Sequence, residues 1–166
     1  MPNPKKQFSE LYNKYVDKIY RFIFLKVSSQ EIAQDLTSET FLRGWQAFRN
    51  PRDIENPPAF LYKIARNLVI DHYREKEQKG TISTEELRII DPRSNLEEKA
   101  ILTSDLSTIQ AALSKLREDY QTVIIWRYLD ELSIPEIAKI LEKPEGTVRV
   151  TLHRALKTLR TQLNEA

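Results

Sequence analysis

Glycine is the scarcest structural resource in this chain: three of 166 residues, at positions 44, 80 and 146. That is about 2%, against an ordinary ~7%. So little glycine leaves few ready sites for positive-φ turns, few tight hairpins and no glycine-rich loop to cradle a phosphate. The expectation is an all-α protein without a nucleotide site. The eight prolines agree with it. They stand at 2 and 4, at 51, 57 and 58, at 92, and at 135 and 144. Each lies near the start of the chain, in a predicted loop or linker, or in the first turn of a predicted helix, where a missing N–H costs nothing.

Composition removes several classes of chemistry. There is no cysteine, so disulfides, thiolate zinc sites and cysteine nucleophiles are impossible. Hydrophobic residues make up 40% and charged residues 30%, the balance of a globular protein. The longest apolar runs, such as Phe22–Leu25 and Val123–Trp126, are about one turn long. A membrane span needs ~20 apolar residues. The opening MPNPKKQF leads into no apolar signal core, and a cytoplasmic location is expected. His72 and His153 fall in different predicted domains, and neither has a metal-ligand spacing. Asp71 and His72 are sequence neighbours, which point to different sides of a helix. No catalytic site, metal or cofactor is expected.

Periodicity places the helices. Apolar residues at Phe8, Leu11, Tyr12, Tyr15, Val16, Ile19, Tyr20, Ile23 and Val27 step by three and four, giving a helix over 7–28 wide enough to pack on two neighbours. Ser29 is placed to cap a second helix over 30–48, with Ile32, Leu36 and Trp45 near one face and Asp35, Glu39 and Arg43 on another. The prolines at 51, 57 and 58 predict a loop. A third helix follows over 59–76, burying Leu61, Ile64, Ala65 and Leu68 and turning Tyr62, Lys63, Arg66, Asn67, Asp71 and Arg74 elsewhere. Residues 77–101 lose the pattern and are predicted to link two domains, 1–76 and 102–166. In the second domain Leu102, Leu106, Ile109, Leu113 and Leu116 mark one helix, and another covers 117–129. Ser133-Ile134-Pro135-Glu136 is a capping box opening a helix that ends by Leu141. The last helix runs to about residue 163 and buries Val148, Leu152, Leu156, Leu159 and Leu163.

Charge is distributed unevenly beneath a net +2: residues 1–74 carry +4, 75–104 carry −2 and 105–166 are neutral. Within the last segment, residues 143–160 hold Lys143, Arg149, Arg154, Lys157 and Arg160 against Glu145 alone. A helix, a short turn and a basic helix form a helix-turn-helix arrangement, in which the second helix enters a major groove. Arginine pairs with guanine O6 and N7, and cations along the helix hold phosphates. The N–H groups near Gly146 and Thr147 suit a phosphate. The turn position often given to glycine is Glu142 here. The other reading of the pair is an ordinary amphipathic hairpin.

Two further stretches carry a family resemblance. Residues 35–45, DLTSETFLRGW, resemble region 2.2 of bacterial sigma factors, and residues 60–74, FLYKIARNLVIDHYR, resemble their regions 2.3 and 2.4. From Pro144 onward, PEGTVR resembles region 4.2. Three motifs in this order resemble the short extracytoplasmic-function type, which has regions 2 and 4 only. The resemblance implies a subunit that binds core RNA polymerase, through its β′ and β subunits, and directs it to promoter DNA. It assigns β′ docking to Asp35, Ser38, Glu39 and Arg43. Many members carry Gln where this chain has Ser38. It assigns capture of the melted −10 strand to Asn50, Asn56, Tyr62, Lys63, Arg66, Asn67 and Arg74, with Tyr62 and Tyr73 either stacking on bases or packing in the core. It assigns the −35 duplex to Thr147, Arg149, Val150, His153, Arg154 and Lys157. Such proteins are often held inactive by an anti-sigma factor, which the resemblance adds to the expected partners.

The reading from another class is a helix-turn-helix regulator unrelated to sigma factors, with an N-terminal helical effector domain. The tandem motifs at 35–45 and 60–74 argue against it.

Overall fold

The computed structural model describes residues 3–49, 54–79 and 104–164. All regular structure among them is helical. The helices fall into two compact units.

In the first unit, α1 spans Pro4–Val27, α2 Gln30–Phe48 and α3 Pro57–Lys79. Local chemistry sets each boundary. The Asn3 side chain accepts from the Lys5 N–H at 3.0 Å, and Pro4 opens α1. Ser28 ends it in a left-handed conformation (φ 55°), donating its N–H to Phe24 O at 2.8 Å. Ser29 caps α2 through the Ile32 N–H. Asn56 caps α3: its Oδ1 accepts from the Ala59 N–H at 3.1 Å. Pro57 and Pro58 therefore belong to the first turn of α3, where sequence reasoning expected loop, because neither has an N–H to lose there. At its other end α3 runs to Lys79, three residues into the predicted linker. The remainder of that linker and Asn50 lie outside the described residues.

The core of this unit is where α1 meets α2 and α3. Ile19 and the run Phe22–Val27 are buried, so the end of α1 is enclosed on all sides and not along one stripe. The apolar residues that spacing grouped near one face of α2 prove peripheral. Ile32, Leu36 and Trp45 are only partly buried, while Ala33, Thr37, Thr40, Phe41, Gly44 and Phe48 face the core. The two threonines are admissible there because each hydroxyl donates one turn back, Thr37 to Ala33 O at 2.6 Å and Thr40 to Leu36 O at 2.7 Å. Gly44 sets the spacing: a Cβ at that position would lie 2.7 Å from Leu61 Cδ2 and 3.6 Å from the Phe8 ring. Phe8 closes the cluster, its ring centroid 5.3 Å from Trp45 and 5.6 Å from Phe48.

In the second unit, α4 spans Ser104–Ser114 and α5 Glu118–Ile124. The Gln121 amide donates to Leu113 O at 2.8 Å and Leu116 O at 3.1 Å, tying the start of α5 to the end of α4. Helix α5 widens into a π turn over Ile125–Leu129, with Asp130 N–H bonded five residues back to Ile125 O at 3.0 Å. Nothing in the apolar spacing announced that turn. Trp126 is fully buried within it. The capping box that opens α6 (Ile134–Leu141) is present in both directions, Glu136 N–H to Ser133 Oγ at 3.2 Å and Ser133 N–H to Glu136 Oε1 at 3.0 Å. After a short turn α7 runs over Glu145–Asn164. Its inward residues are Val148, Leu152 and Ala155. The predicted stripe thins toward the C-terminus, with Leu156 and Leu159 half-buried and Leu163 exposed.

Positive-φ turns are present despite the shortage of glycine: Ser28, Glu131 and Glu142 adopt φ of 55°, 58° and 57°. Glu142 holds the turn between α6 and α7 in the conformation a glycine would take without strain. Two outcomes follow, each read from a urea midpoint by far-UV circular dichroism. Glu142→Gly should raise stability by about 1 kcal/mol through relief of left-handed strain. Gly44→Val should lower it by about 1–3 kcal/mol, because Leu61 is itself buried and has little space to retreat.

Candidate functional site

Burial of one stripe on each helix leaves three outward faces bearing the residues singled out in the sequence. On α2, Asp35, Ser38 and Arg43 are exposed and Glu39 is half-buried, opposite the Ala33–Phe48 core face. Glu39 Oε1 accepts from Arg43 Nε at 2.8 Å, an exposed pair one turn apart. An ion pair of this kind contributes little stability, about 0.3–0.5 kcal/mol, so its residues are available to other partners at small cost. Sequence reasoning missed Leu42. It is 51% exposed and completes the 35, 38, 39, 42 spacing of this face. The period alone would have found it, had an apolar residue been admitted to a polar stripe.

On α3 the predicted set divides. Lys63, Asn67 and Arg74 lie within about 40° of one another at 100° per residue. Arg66 lies beside them at the edge of the core. Asn67 and Arg74 are exposed, Lys63 and Arg66 half-buried. Tyr62 is a correction. It is 0% exposed, its ring edge-on to Tyr15 and Phe22 with centroids 6.3 and 6.1 Å away. It stands one residue before Lys63, a rotation of 100° that carries it from the outward face into the contact with α1, so it offers no stacking surface. Tyr73 is half-buried, and its hydroxyl donates to Lys26 O, the end of α1. Asn56 sits at the start of this face with its Oδ1 engaged as the helix cap.

On α7 the predicted residues come together. Thr147, Arg149, Val150, His153, Arg154 and Lys157 are all exposed, on the side away from Val148, Leu152 and Ala155. Ala138 of α6 is buried beneath the pair, as its small size suggested, and its carbonyl accepts from the Lys143 N–H at 3.0 Å across the turn. Gly146 has open space around it: a Cβ there would meet nothing within 4 Å. Among the described residues no group of three or more His, Asp or Glu side chains is placed to hold a metal, and no helix is long and apolar enough to cross a membrane.

Residues 11–79 match the family described as Sigma-70 region 2, and residues 106–159 the family described as Sigma-70, region 4. The chain is 35% identical to the ECF RNA polymerase sigma factor SigW of Bacillus subtilis, over 95% of this chain and 89% of that protein. It is 30% identical to SigX of the same organism, over 94% and 83% of the two chains. Among solved structures, the sigma factor RpoE of Bartonella quintana, crystallised with the anti-sigma factor NepR, matches with a TM-score of 0.78 over 96% of this chain and 98% of that one. Identity there is 22%, so the likeness speaks for the fold.

One titrating group lies on α3. His72 is half-buried, and its burial, with Lys76 one turn on, holds its imidazole below the ordinary 6.5 against a smaller opposing pull from Glu75. A lowered histidine pKa means the unfolded chain binds the proton first as pH falls. The stabilisation is complete above pH 6.5 and is lost as acid protonates the ring in the folded protein too. The thermal midpoint should therefore fall between pH 7.5 and pH 5.5, and His72→Gln should flatten that slope. An identical slope in the variant would exclude His72 as its source.

Proposed function

Since the chain belongs to the sigma-70 family, in the two-region extracytoplasmic-function type, we propose that its three outward faces divide the work of promoter-specific initiation. The outward face of α2 (Asp35, Ser38, Glu39 and Arg43) docks on the β′ subunit of core RNA polymerase. The face of α3 (Lys63, Arg66, Asn67 and Arg74) holds the melted −10 strand, in the manner of a basic groove that tracks a single-stranded backbone. Helix α7 enters the major groove of the −35 duplex. Its exposed Arg149 and Arg154 pair with base edges, and Lys157 neutralises phosphate. The protein supplies recognition and positioning, and the chemistry of RNA synthesis belongs to the polymerase. Working with that enzyme places it in the cytoplasm. An anti-sigma factor is a further partner within this reading, as one is for the matched RpoE.

The observation that carries the proposal is the outward stripe of α7. It presents Arg149, His153, Arg154 and Lys157 to solvent directly after a tight turn from a capped helix, with Glu145 the one carboxylate in its first turn. Nothing in the unit's own core uses these side chains.

The test adds the purified chain to core polymerase and measures association and promoter-specific transcripts. Arg149→Ala should lower −35-dependent initiation about tenfold or more, a bidentate base contact being worth about 1–3 kcal/mol, and leave association with core intact. Asp35→Ala with Glu39→Ala should weaken association and spare duplex reading by whatever holoenzyme forms. All are surface changes and should move folding stability by about 0.5 kcal/mol or less. A chain that binds duplex alone and never associates with core would instead be an ordinary helix-turn-helix regulator.

A further inference from the structure

Val150 is the anomaly on the duplex-facing helix. It is 50% exposed on α7, whereas Val148, two residues earlier, is 1% exposed and Leu152, two later, 9%. At 100° per residue it lies about 160° from each of those two, almost diametrically opposite the core. A β-branched side chain there is a poor choice for the chain's own fold: it lowers helix propensity and leaves its methyls in water. Its surroundings are polar and largely cationic, with Thr147, Arg149, His153, Arg154 and Lys157 all exposed around it. One small apolar spot in such a ring is a poor fit for the broad apolar contact that protein partners make.

Gly146 is the second observation. It stands one turn before Val150 on the same side of the helix, and a Cβ there would meet nothing within 4 Å. Helical side chains lean toward the N-terminus, so the patch a residue covers lies over the preceding turn. Val150 and the bare backbone at Gly146 share this outward face, and the space over the glycine is open. Arg149 and Arg154 stand to either side of Val150.

The major groove presents one apolar group among its unmodified bases, the C5-methyl of thymine. We propose that Val150, with the open space at Gly146 one turn before it, packs against the 5-methyl of one thymine in the −35 duplex, making Val150 a specificity-determining residue and not a spacer between arginines. This deepens the assignment of α7 to the −35 duplex and rests on it. The position suits the role, since Val150 is the sixth residue of α7 and residues near the start of such a helix reach base edges.

Deoxyuridine tests the methyl alone, because it keeps every hydrogen-bonding group of thymidine. Holoenzyme reconstituted with the full chain is bound to a promoter it transcribes, with each thymine of the −35 element replaced by deoxyuridine in turn. One position should weaken binding about fourfold, the loss of one buried methyl, with the others near unity. Val150→Ser should bring that thymine-to-uracil ratio to one. Gly146→Ala should reduce the ratio while leaving the helix folded, since its Cβ has open space. Each ratio is taken within one protein, so a smaller active fraction does not imitate the effect. Uniform ratios across all thymines, or a ratio unchanged by Val150→Ser, would overturn the proposal. Binding that is indifferent to the whole −35 element would overturn the underlying assignment as well, and is distinguished by that broader insensitivity.

Discussion

Each helix here has one stripe to bury, and burying it decides what is left facing outward. The closest approach in the first unit is at Gly44, where α2 comes near enough to Leu61 of α3 and Phe8 of α1 that no side chain fits between them. That contact fixes the rotation of α2 about its axis. With Ala33, Thr37, Thr40, Phe41, Gly44 and Phe48 inward, Asp35, Ser38 and Leu42 have no choice but to face solvent. The same logic turns α7: once Val148, Leu152 and Ala155 are committed to the core, its cations and Val150 form a continuous outward face. The proposed functional surfaces are thus the complements of the cores, held in register by close packing beneath them.

Turn chemistry in a glycine-poor chain takes an unusual route. Few glycines do favour helices, yet they do not abolish positive φ. Ser28, Glu131 and Glu142 take it instead, at some cost in strain. The two described glycines serve other ends, Gly44 a close helix approach and Gly146 an open patch of backbone. The Glu142 turn joins α6 to α7 in the left-handed conformation open to glycine, with its N–H bonded back into α6.

Much of the candidate site was legible in the sequence because it sits on helices with strong period. Spacing placed Arg149, His153, Lys157 and Arg160 on one outward face with Arg154 nearby, the family resemblance added Thr147 and Val150, and all of them are exposed. It failed at Tyr62, which belongs to the contact of α3 with α1. An aromatic beside a lysine on an amphipathic helix is one rotation step from either environment, and residue type does not choose between them. Leu42, 51% exposed, is the converse case: an apolar residue type does not by itself fix an inward face. Thr37 and Thr40 show the reverse, since a hydroxyl bonded to the preceding turn is no burden in a core.

The sequence by itself determined the fold class, the helix boundaries at Ser29, Ser133 and Leu141, and the turn at 142–144. Those signals are local, a cap or a proline acting on the backbone within one turn. Tertiary structure alone decided which flank of each stripe goes inward, that α5 widens into a π turn around buried Trp126, and that Tyr62 is core while Val150 is surface. Burial depends on the shape of the neighbouring helix, and a single stretch of sequence holds no record of its neighbour.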